Sequence, residues 1–280
     1  MQTLSLSSAD WKFRDATDAT RWRSATVPGC VHRDLLRHEL IPDPFYGTNE
    51  LDLQWIEQHD WEYRATFRVT TALLDADEVD LVCDGLDTLA TVYLNGRKIA
   101  TSDNMFEPLR LSVRRQLRVG ANELRFLFAS AGRAVKTLRP EHQPKEFNDS
   151  VGRSSVLRKQ QCQFGWDWGP RFVTAGIWRD LRLEAWSRNR LVTARVDQTH
   201  ARDGSVSLAV APQLVRADRG VTYYVTLSLG DEIVAIASGK TSDLVLHIPH
   251  ASLWWPNGHG AQPLYTITLT ARDLAGDEIG

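Results

Sequence analysis

The feature that most restricts how this chain can fold is an alternation of apolar and polar residues with period two, cut into short runs by turn residues. Tyr63, Ala65, Phe67 and Val69 alternate with polar neighbours, as do Val79, Leu81 and Cys83, then Ala90, Val92 and Leu94. A period of two places every second side chain on one face, so each run reads as a strand with one face buried. The stretch Asn122-Glu123-Leu124-Arg125-Phe126-Leu127-Phe128 supplies a further strand, and Leu181, Leu183 and Ala185 another. Asn95-Gly96 is the strongest hairpin signal and predicts a type I′ turn joining Thr91–Leu94 to Lys98–Ala100. Helical spacing occurs at Val31, Leu35 and Leu36, after the Pro28-Gly29 turn. Next come a proline-punctuated loop, Ile41-Pro42-Asp43-Pro44-Phe45-Tyr46-Gly47, and an acidic segment flanked by Trp55 and Trp61. Many short strands with turns between them predict an all-β fold built on a β-sandwich.

The sequence predicts two such sandwiches. A chain of 280 residues with 42% hydrophobic content can bury one large core or two ordinary ones. The first domain is expected to span residues 1–188, leaving near Ser187-Arg188-Asn189, and the second residues 189–280. The second contains alternating runs at Val192–Val196, Val206–Val210, Val221–Leu229, Ile233–Ile236, Leu244–Ile248 and Leu264–Leu269. That spacing suits an immunoglobulin-like sandwich. The Ala275-Gly276-Asp277 turn reads as the lead-in to a seventh strand, so the last strand is expected to be missing and the sandwich truncated. Between Ala131 and Arg158 the periodicity is lost, which predicts a long loop, functional or merely solvated, in which no residue is given a role.

Composition excludes several classes of function. The 24% charged fraction excludes a disordered chain, and a formal charge of −2 argues against a nucleic-acid partner. Arg110, Arg114, Arg115 and Arg118 are interleaved with Leu111, Val113, Leu117 and Val119, the pattern of a solvated face rather than a phosphate track. Cys30, Cys83 and Cys162 are three thiols at wide separations with no Cys-x-x-Cys pair, so they read as free. No metal-ligand spacing occurs among the eight histidines, and no cofactor is expected. The N-terminus lacks a basic region and a long apolar run, so the expected location is cytoplasmic, with no membrane contact.

Chemistry concentrates in Gln161–Trp178. At its centre Trp166-Asp167-Trp168 is bracketed by Gly165 and by Gly169-Pro170, which predicts a tight turn rather than a regular strand. Two indoles beside a carboxylate suit a pyranose, whose C–H faces lie on aromatic surface and whose hydroxyls donate to carboxylate oxygens. The alternative is that both Trp side chains are core and Asp167 holds the loop as an Asx turn.

The same residues, with Gly176-Ile177-Trp178-Arg179, resemble the end of the N-terminal sugar-binding domain of β-mannosidases in glycoside hydrolase family two. A second match, Leu253-Trp254-Trp255-Pro256-Asn257-Gly258-His259-Gly260 with Gln262-Pro263-Leu264-Tyr265, resembles that family's immunoglobulin-like domain. The resemblance implies a galactose-binding-domain-like jelly roll for the first sandwich. It also implies a parent enzyme that is a retaining glycosidase acting on terminal β-mannose, in an oligosaccharide or glycoconjugate. In the family, two glutamates in a barrel C-terminal to these domains carry catalysis. A barrel takes about 250 residues, so none fits here, no catalytic residue is assigned, and the chain alone is expected to be inactive. The resemblance assigns Trp166, Asp167 and Trp168 to substrate binding, Asp167 as the hydroxyl acceptor and the indoles as walls or supports. Trp254-Trp255 is expected to pack against a neighbouring domain rather than to bind sugar, and His259 to be a loop histidine. Other readings remain open: an autonomous lectin-like module, or the same region of an exo-β-glucosaminidase, a β-galactosidase or a β-glucuronidase.

Overall fold

A computed structural model describes residues 1–16, 21–139, 141–142, 152–216, 218, 220–240 and 243–279. The chain divides into two compact units, Gln2–Ala185 and Trp186–Gly280, with Met1 grouped with the latter. Both are built from strands.

The first unit holds a six-stranded sheet in the order Arg23–Ser24, Lys12–Asp15, Trp61–Val69, Gly120–Phe128, Ala90–Leu94, Arg97–Ser102. A four-stranded sheet runs Gln2–Ser5, Leu181–Trp186, Glu78–Cys83, Leu109–Ser112. The long central pair sets the register, with Tyr63 opposite Phe126 and Ala65 opposite Leu124. This alternation drives Tyr63, Phe126, Phe128, Phe13 and Trp11 into one core. Phe126 stacks on Phe128 at 6.1 Å between centroids, and Tyr63 meets Phe128 edge-on at 5.8 Å. Asn95 and Gly96 both have positive φ (50° and 79°), as a type I′ turn requires. The alternation fails at Glu78–Cys83, where five successive residues from Val79 to Cys83 are buried. Asp80 survives there because Arg110 pairs with it at 2.8 Å and with Glu184 at 2.6 Å, so Arg110 is an ion-pair partner rather than a free solvated charge.

The predicted helix forms at Val31–Arg37. The loop expected from Ala131 begins instead as a helix, Ala131–Thr137, whose first turn is capped by Ser130 Oγ accepting from Arg133 N at 3.0 Å. Gly132 and a length of two turns keep its helical pattern weak. Residues 140 and 143–151 of that segment lie outside the described residues. A second unpredicted pair of turns, Asn49–Asp52 and Gln54–Gln58, follows the proline-punctuated loop.

The second unit sets a three-stranded sheet, Leu191–His200, Val206–Leu214, Leu244–Ile248, beside one ordered Glu232–Gly239, Thr222–Leu229, Tyr265–Arg272, Glu278–Ile279. Val210, Val225, Leu227, Leu246 and Ala271 form its core. After the turn at Ala275-Gly276-Asp277, two residues pair with the preceding strand, Ile279 opposite Ala271.

Candidate functional site: an aromatic hairpin and its cleft

Trp166, Asp167 and Trp168 lie on a β-hairpin rather than in an isolated turn. Phe164–Trp166 pairs with Gly169–Arg171, Trp166 opposite Gly169, which leaves Asp167 and Trp168 as the two tip residues. Trp166 thus belongs to a strand, a correction to the turn expected for all three. Gly165 has φ 93°, and a Cβ there would stand 3.3 Å from Arg171 Cβ, so glycine lets the two arms close.

The base of the hairpin is fixed by burial and charge. Phe164 is fully buried in a small satellite core with Ala131, Val135, Leu157 and Val173. The Arg171 guanidinium grips Glu57 with two bonds, Nε to Oε2 at 3.0 Å and Nη2 to Oε1 at 2.9 Å, and donates a third to the Phe164 carbonyl at 2.6 Å. Arg171 N donates to Glu50 Oε1 at 2.5 Å, and Gln54 Nε2 donates to the Arg171 carbonyl at 3.1 Å. A bidentate Arg–carboxylate pair of this kind is rigid as well as strong. It ties the hairpin to the two turns of residues 49–58.

At the tip, Trp168 is 79% exposed and Trp166 half-buried, with ring centroids 5.1 Å apart and planes at 44°. Neither ring is fully core. Asp167 is exposed, and among the described residues its carboxylate accepts no hydrogen bond, so it does not close an Asx turn. The hairpin faces the loop before the Asn49 turn across a cleft of about 370 Å³, lined by Phe45, Glu50, Trp166, Asp167, Trp168 and Pro170 among others. Phe45, 77% exposed, rests edge-on against Phe172 at 5.2 Å, and Phe172 in turn meets His32 at 5.7 Å. Burial, with the Lys159 cation adding to it, pushes the His32 imidazole down from the ordinary 6.5 to about 4, against the opposing pull of Asp87. Lys159 is itself wholly buried, paired with Asp87 and donating to the Thr174 carbonyl at 2.8 Å.

Phe45, Glu50 and Glu57 carried no sequence signal for the site. Their partners lie over a hundred positions away. The second motif lies in the other unit. Trp254 (53% exposed) and Trp255 (49%) line an apolar cavity of about 570 Å³ with Leu208, Leu227, Ile248 and Tyr265. Among the described residues no group of His, Cys, Asp or Glu is placed to hold a metal, and no helix is long and apolar enough to cross a membrane.

The glycosyl hydrolase 2 galactose-binding domain-like family matches residues 11–179. β-Mannosidase B of Emericella nidulans is 37% identical over 278 residues, covering 94% of this chain and 32% of its own length. The β-mannosidase B of Thermothelomyces thermophilus is 40% identical over 283 residues, with 96% and 32% covered. Among solved structures, the β-D-mannosidase of Dictyoglomus thermophilum superposes with a TM-score of 0.87 at 34% identity, covering 99% of this chain and 35% of that one. The chain thus spans about a third of the length of the relatives it matches, corresponding to their N-terminal part.

Proposed function

This chain belongs to the glycosyl hydrolase 2 galactose-binding domain-like family, and we propose that it is the non-catalytic N-terminal region of a β-mannosidase, whose hairpin supplies one side of the pocket for a terminal β-mannosyl residue. One observation supports this most: an exposed carboxylate that has no hydrogen-bond partner among the described residues, next in sequence to two indoles that pack on each other, on a hairpin that is itself clamped by the buried Arg171–Glu57 pair. A site for a polar ring needs free acceptors fixed in space beside apolar surface, and a charged acceptor to a hydroxyl contributes about 1.5–3 kcal/mol per bond when desolvated. Asp167 takes the hydroxyls, Trp168 offers a face, and Trp166 supports it. The two catalytic carboxyls belong to a barrel further along the same polypeptide, and the exposed Trp254-Trp255 surface packs against another part of it.

The full-length polypeptide should hydrolyse 4-nitrophenyl β-D-mannopyranoside in preference to the corresponding glucoside, galactoside and glucuronide. The 280-residue chain alone should show no turnover above background, because nucleophile and general acid are both outside it. Turnover by the purified chain, abolished by a point change within it, would overturn this reading. Preference of the full-length enzyme for another sugar would overturn the mannosidase assignment.

A further inference from the structure

We infer that Phe45 is the second wall of the sugar site, so that the cleft between its loop and the hairpin takes an uncharged pyranoside within this chain alone. The inference rests on the role proposed for Asp167 and adds a residue on a separate loop. Phe45 and Trp168 are 77% and 79% exposed and line the same cleft. Left in water, two large aromatic rings gain nothing from burial, and mobile ones would fold back onto the surface. Each is instead in contact with a neighbouring ring: Phe45 with Phe172, edge-on at 5.2 Å, and Trp168 with Trp166 at 5.1 Å, which lines the same cleft. Phe172 is held in turn by the buried His32. Rings fixed before a ligand arrives lose little freedom on binding, which is how aromatic recognition surfaces keep their cost low.

The polar lining sets the class of ligand. Its charged members are Glu50 and Asp167, both acceptors, and no cation is among the described lining residues. Glu50 is held in place by its bond from Arg171 N at 2.5 Å. A cleft of apolar faces and carboxylates accepts from hydroxyls and repels a carboxylate or phosphate on the ligand. Its volume of about 370 Å³ falls within the roughly 300–1,000 Å³ usual for small-molecule sites. The geometry thus selects a neutral hexopyranoside and rejects a uronic acid.

The test is saturation-transfer NMR on the 280-residue chain with methyl β-D-mannopyranoside and methyl β-D-glucopyranosiduronate as probes. Shifts of the indole N–H signals give the affinity. The mannoside should bind in the millimolar range and the uronate about tenfold more weakly. Phe45→Ala should weaken mannoside binding by about fivefold, the value of one aromatic contact, while Phe45→Tyr keeps it. Phe45 is exposed, so its removal should leave the remaining spectrum unchanged and show the fold intact. If Asp167→Asn abolishes binding while Phe45→Ala does not, the wall assigned to Phe45 is wrong and the role of Asp167 stands. If Phe45→Ala weakens binding and Asp167→Asn does not, the role of Asp167 is wrong. No mannoside binding at all, or equal binding of the uronate, would overturn this inference while leaving hydrolysis by the full-length polypeptide to decide the function.

Discussion

At the scale of single residues, the buried groups behind the cleft make the most direct claim on pH. His32 is 9% exposed, and its imidazole is held at about 4, below the ordinary 6.5, first by burial and then by Lys159. Its folded pKa lies below its unfolded one, so the stability gained by keeping it neutral is fully present above about pH 6.5. That stability is lost as pH falls through about 4. At roughly 1.4 kcal/mol per unit, the loss amounts to about 3 kcal/mol. His32→Phe keeps a ring against Phe172 and removes the proton site. Denaturant unfolding between pH 7 and 4 should therefore fall less steeply for the variant by one proton's worth of slope. Parallel pH profiles would refute the buried neutral imidazole. A tight reversal at the hairpin tip was legible in the sequence from the glycines that flank it, although its two indoles and aspartate fitted a core pair and an Asx turn as well as a sugar site. Phe45 and His32 were not legible, because what matters about them is which ring stands behind which, and that is set by tertiary packing.

At the scale of elements, the hairpin is only as ordered as its base. Arg171 and Glu57 are 9% and 6% exposed, and removing one partner leaves the other charged and buried. Glu57→Ala should cost about 3–5 kcal/mol of unfolding free energy, and replacing both partners with methionine should recover much of that loss. A single-variant cost under about 1 kcal/mol would mean that the clamp is not holding the hairpin. Element existence was legible wherever period two was clean, as in Trp61–Val69 and Gly120–Phe128. It failed where local signals were short, as in Ala131–Thr137; at Glu78–Cys83 the expected strand forms, and only the expectation of one buried face fails, because the strand is covered on both sides. The hairpin arms are three residues each, too short to show periodicity, so only their glycines pointed to a turn.

At the scale of the whole molecule, the two units differ in how much backbone they protect. Trp61–Val69 lies between two strands, with most of its residues buried. In the second unit, Leu191–His200 and Glu232–Gly239 are edge strands with no buried residue. Edge backbone opens at lower free energy, so hydrogen exchange should be faster by at least about tenfold in those two strands than in Trp61–Val69. Uniform protection would contradict that ranking. Two groups of strands were readable from strand spacing, and the structure divides into two compact units; the proposed place of the chain within a longer enzyme rests on motif resemblance. The role proposed for the hairpin carboxylate, holding substrate hydroxyls, is tested most directly by kcat/KM of the full-length polypeptide on a β-mannoside with Asp167→Asn. The exchange keeps the size, removes the charge and turns one acceptor into a donor, so kcat/KM should drop by about ten- to a hundredfold, with the melting temperature unchanged because Asp167 makes no hydrogen bond among the described residues. An unchanged kcat/KM with a lowered melting temperature would show that Asp167 serves the fold and not the substrate.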